Sequence, residues 1–211
     1  MNYPHNCGKK MATAAGAVLL CGSMAFGQAG QQPGGAAGQT PGQSNPSTID
    51  SQINAINASG QNTAMDKMFV KKALEGDMAE VQLGQLTLQK SNNDQLKQFA
   101  QKMIDDHTKL ADEMKPVAQQ LGVSAPDGPS KKDKATMAKL QALSGSAYDQ
   151  AYIKDMVKDH KHDLSDFQTE ASSGQDQTVK DAANQGSKVI AQHLQMIQQI
   201  AKDQNVNVAS K

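Results

Sequence analysis

The chain has 211 residues, a formal net charge of zero, 3% aromatic residues and no Trp. Neutrality removes the long-range field that draws proteins to nucleic acid or anionic membranes, and because every strong base is Lys, bidentate guanidinium recognition of phosphate is absent too. A second half rich in Ala, Leu, Met, Gln and Lys, with few residues suited to strands, points to an all-α fold.

In chain order, Lys9 and Lys10 precede the apolar small-residue run "MATAAGAVLLCGSMAFG", which reads as a signal peptide over 1–27 rather than a membrane span. Ala25 and Gly27 suit a cut before Gln28, whereas the large Leu20 disfavours a lipoprotein cut before Cys21. Cleavage removes both cysteines, Cys7 and Cys21, and leaves a net charge of about −2. The expected location is the periplasm or the exterior, with outer-membrane association open. No transmembrane span is expected in the mature chain.

Residues 28–62 read as a flexible linker of Gly, Gln, Pro and Ser, with little to bury from Gln28 to about Thr48. A helical domain follows over 63–205. Its first helix is expected from Thr63 to Lys90, with Thr63 and Asp66 as a capping box. The second begins near Ser91 to Asn93, carries Pro116 and stops at Gly122 in the left-handed position. A short helix is expected at Lys131 to Leu143, the third long one from Ser146 to Gly174, and the fourth from Asp176 to Asp203 before a frayed tail. The segment between the second and third long helices is long enough to traverse a helix length, so a ferritin-like four-helix bundle with a long crossover is expected there.

A three-four repeat on each long helix gives one inward stripe per helix. Glu80, His107, His160 and His193 fall on those stripes, each near mid-helix among apolar residues. His162, about 200° around from His160, then faces water. Either the four form a hydrogen-bonded polar layer, or they hold one Zn, Fe or Cu ion through three imidazoles and a carboxylate. Di-iron chemistry is disfavoured, because Ile104, Val157 and Ile190 stand where Glu-x-x-His would place carboxylates. Asp106 and Asp159 precede two of the histidines and read as rim or orienting groups, or as solvated residues. Met103, Met156 and Met196 lie one turn from the histidines, on one side of them if the crossover is present; they are core fillers or, for Cu(I), soft ligands.

The stretches "GDMAEVQLGQLTLQKSNNDQLKQFAQKMIDDH", "YIKDMVKDH" and "HLQMIQQIA" resemble the bacterial exported proteins grouped as domain-of-unknown-function family 4142. The resemblance implies a ferritin-like helical bundle of the periplasm or outer membrane, with the recurrent Glu at Glu80 and the histidines at His107, His160 and His193. It implies no activity. The expected role is non-enzymatic, in envelope stress or metal handling, with one transition metal as cofactor and an envelope protein or a second copy as partner. A structural or partner-binding bundle and a metal-dependent oxidoreductase are the alternatives.

Overall fold

The structure, a computed structural model, describes the backbone over residues 46–208 and side chains throughout 63–208. The expected signal peptide and the linker up to residue 45 lie outside the described residues. Five α-helices and no strands occur among the described residues: α1 Pro46–Lys90, α2 Asp94–Leu121, α3 Lys131–Gln141, α4 Gly145–Ser173 and α5 Gln177–Asp203.

The first helix departs from expectation, since it starts at Pro46 and not at Thr63, so the C-terminal part of the presumed 28–62 linker is helical. Proline suits a first helical position, and Ile49, Ile53 and Ile56 recur at helical spacing behind it. The Thr63–Asp66 capping box is therefore overturned. Asp66, 2% exposed, lies mid-helix and accepts hydrogen bonds from the backbone N–H of Gln175 at 3.1 Å and of Asp176 at 2.7 Å. It anchors the α4–α5 turn to α1.

The other boundaries follow local chemistry. Asn93 caps α2 by accepting from Leu96 N–H, and Asp176 caps α5 by accepting from Thr178 and Val179. Gly122 closes α2 with φ 66°, and Val123 N–H reaches the Ala118 carbonyl at 2.8 Å, the closure that only a left-handed residue permits cheaply. The α2 helix continues through Pro116. The cap of α4 is Ser144, two residues before the expected Ser146. The tail after α5 is irregular, yet Val206 is buried and its N–H bonds to the Ala201 carbonyl, so it docks rather than frays there.

Contacts between helix ends fix the directions. Thr87 near the end of α1 donates to Leu83 O and accepts from the Tyr148 hydroxyl, 2.7 Å away, near the start of α4. With Asp66 bonded at the far end of α4, α1 and α4 run antiparallel. Gln95 bonds Asp203 at 3.0 Å and Gln185 bonds Glu113 at 2.7 Å, so α2 and α5 are antiparallel as well. Consequently α2 and α4 run parallel, and the segment carrying α3 crosses from one end to the other. Lys90 secures that crossover by donating to the carbonyls of Gln141 and Leu143.

Two apolar clusters form the core. One contains Leu83, Phe99, Met103, Tyr152, Met156 and Ile197, and the other Leu74, Met114, Phe167, Val179 and Ile190. Met103 and Met156 belong to the first cluster and Met196 packs against it, so the three methionines lie on one side of the histidines. On every long helix the stripe residue, Glu80, His107, His160 or His193, falls between the two clusters. A polar layer thus divides the core.

Candidate metal centre

Three of the four stripe residues converge. One ring nitrogen from each of His107, His160 and His193 lies within 4.8 Å of the others, and the three residues are 4%, 1% and 0% exposed. The rings meet at centroid distances of 5.2 to 6.0 Å, and Phe99 packs against His160 and His193 from the apolar side. Parallel α2 and α4, facing antiparallel α5, bring the three mid-helix positions to one height.

Carboxylates fix two of the rings. His107 Nδ1 lies 2.8 Å from Asp77 Oδ1, and His193 Nε2 lies 2.7 Å from Asp106 Oδ2. A carboxylate accepts, so each of those nitrogens carries the proton. The opposite nitrogens, His107 Nε2 and His193 Nδ1, then hold lone pairs and are buried without a protein partner. Neither nitrogen of His160 makes a well-formed protein hydrogen bond.

Electrostatics disfavours the charged forms of His160 and His193. Burial, reinforced by the neighbouring His107 and His193, pushes His160 well below its ordinary value. Burial and His107 push His193 down to about 4, against the opposing pull of Asp106. Burial alone would raise Asp106, but hydrogen bonds from Lys102 and His193 hold it below the usual carboxylate range. Burial raises Asp77 despite its bond to His107.

Glu80 is 2% exposed, in the same layer, but it groups with Asp159 and Asp163 and not with the imidazoles. Its carboxylate is directed toward α4. The structure therefore does not bring the expected four ligands together as one set. Asp77 and Asp163 were not anticipated from the sequence. Asp106 orients a histidine, and Asp159 joins Glu80. His162 is exposed and pairs with Asp166 at 3.3 Å, as its position opposite His160 requires. A cavity of about 60 Å³ touches both groups, lined by His107, Asp77, Glu80, Asp163 and Gly76 among others.

Buried imidazoles oriented by carboxylates across the core of a helical bundle define the class. The chain belongs to the family described as Domain of unknown function (DUF4142), which matches residues 52–200. No curated protein and no solved structure matches it. No helix among the described residues is long and apolar enough to cross a membrane.

Proposed function

We propose that this chain is an exported, ferritin-like four-helix bundle that binds one transition metal through His107, His160 and His193 and serves metal handling or stress tolerance in the cell envelope. The observation that carries the reading is that three buried imidazoles bring one ring nitrogen each within 4.8 Å of one another, and that His107 Nε2 and His193 Nδ1 are buried without a protein partner. A buried lone pair normally has a donor, and orphaned buried polar atoms are costly. One cation accepts all three.

The orienting carboxylates support the same reading. Histidine ligands characteristically donate their second N–H to a carboxylate, which fixes the tautomer and raises ligand basicity. Asp77 provides this for His107 and Asp106 for His193. Three imidazole ligands favour Zn or Cu, and iron less once Glu80 is removed from the set. The metal would supply Lewis acidity or, for copper, electron transfer. A storage or buffering role needs neither, and binding without turnover is the function favoured for this buried centre.

The test is metal content, by mass spectrometry, of full-length protein purified without a histidine tag and then exposed to Zn²⁺ or Cu²⁺ and desalted. One ion per chain, lost in His107→Ala, His160→Ala and His193→Ala, supports the reading. A protein that retains no ion, or retains it in all three variants, leaves a hydrogen-bonded structural layer in its place.

A further inference from the structure

We propose a second cation site beside the imidazole cluster and independent of it, in which Glu80 of α1 and Asp159 and Asp163 of α4 hold a hard divalent cation of the Mn²⁺ class. One carboxylate oxygen from each residue lies within 4.8 Å of the other two. Glu80 is 2% exposed, neither of its oxygens makes a well-formed hydrogen bond, and it faces the cavity of about 60 Å³ that Asp163 also lines. An acidic surface patch has solvent around it. Glu80 does not.

Local cations offset these charges only in part: Lys72 lines the same cavity, and the exposed His162 lies beside Asp163. Lys132 reaches Asp159 at 3.5 Å from a largely exposed side chain, an ion pair of small strength. Asp155 adds a fourth carboxylate to the same face, opposed by Lys158. Burial first, then Asp159 and Asp163, holds Glu80 well above its ordinary value, while burial and Asp159 raise Asp163 to about 7.

The ligand chemistry separates this site from the imidazoles. Carboxylate oxygens suit Mn²⁺, Mg²⁺ and Ca²⁺, whose coordination of six or more is completed by water, and the cavity has room for it. A groove of about 270 Å³ between α1, the start of α3 and α4 gives access to Asp159 and Asp163, and its walls set Glu75, Asp133 and Asp166 against Lys72 and Lys132, a net negative lining. Walls of that sign concentrate cations.

The experiment is an Mn²⁺ titration of the tag-free full-length protein after zinc saturation, following free Mn²⁺ by electron paramagnetic resonance. One Mn²⁺ per chain is expected, with affinity reduced roughly tenfold or more in Glu80→Gln and in Asp163→Asn but preserved in His160→Ala. Circular dichroism confirms folding, and Asp163→Asn, at a half-buried position, decides the matter if Glu80→Gln does not fold. Absence of Mn²⁺ binding, or binding unaltered in both carboxylate variants, would overturn the proposal. So would equal losses in His160→Ala and Glu80→Gln, which would make one joint centre. If the chain takes no zinc but still binds Mn²⁺ through Glu80, this site stands and the imidazole centre falls.

Discussion

Asp77 Oδ1 lies 2.8 Å from His107 Nδ1 in a pair of side chains each 5% exposed. The bond joins α1 to α2 and leaves His107 Nε2 as the ring's free lone pair. Asp77→Ala removes the acceptor that selects this tautomer, and metal affinity should fall by roughly 10- to 100-fold. Isothermal titration with Zn²⁺ checks it; unchanged affinity would show that the ring is positioned without Asp77.

His160 and His162 are an internal control, two residues apart on α4. His160 is 1% exposed and packed near Phe99, at a ring separation of 6.4 Å, whereas the His162 side chain is 60% exposed. His160→Ala should destabilise the metal-free protein by about 2 kcal/mol or more through the cavity it leaves. His162→Ala should stay within about 0.5 kcal/mol. Urea melts of both variants measure the contrast, and similar losses would contradict the helical register.

Proton linkage gives a third expectation for the metal-free protein. The folded value of His193, about 4, lies below its unfolded value near 6.5, so its contribution is present above about pH 6.5 and is lost as pH falls through 4. Asp163 has the opposite sign: its folded value of about 7 exceeds the unfolded one near 4, so its contribution is present below about pH 4 and is lost as pH rises through 7. Between these limits the two partly cancel in a whole-protein melt. Ring-proton NMR resolves His193 directly, with a midpoint near 4 that disappears on zinc addition. A midpoint near 6.5 would mean that the ring is solvated.

Two glycines of α1 should respond oppositely to the same change. A Cβ at Gly84 would come within 2.8 Å of the Ala100 carbonyl and 2.7 Å of Ile104 Cγ1, because α1 and α2 approach closely there. At Gly76 it would meet nothing within 4 Å. Gly84→Ala should destabilise by about 1–3 kcal/mol, while Gly76→Ala should stabilise by up to about 1 kcal/mol through helix propensity. Thermal melts decide, and a tolerated Gly84→Ala would show that the helices can separate at no cost.

Much of this arrangement was legible in the sequence because a three-four repeat fixes both the angle and the height of a side chain. His107, His160 and His193 stood on apolar stripes near mid-helix, and the long segment before α4 was sufficient for the crossover. The partners were harder to see. Asp77 follows Gly76 of the α1 stripe, and a single stripe leaves it out although α1 is buried over a wider arc. On α5 a three-four repeat drawn through His193 passes through Ala182, Val189 and Met196, while Ala183, Ile190 and Ile197 are the more deeply buried. Glu80 had the right height, but its grouping depends on which way a long carboxylate reaches, and it reaches Asp159 and Asp163. The early start of α1 was hidden by Gly, Gln and Ser composition, which outweighed the isoleucine spacing.

The most direct measurement is extended X-ray absorption fine structure at the zinc edge of the zinc-loaded, tag-free protein. Three imidazole nitrogens should appear in the first coordination shell, and the signal should lose its three-imidazole signature in His160→Ala but keep it in His162→Ala. A first shell made of oxygens, or a three-imidazole shell that survives replacement of His160, would contradict the assignment of His107, His160 and His193 to one centre.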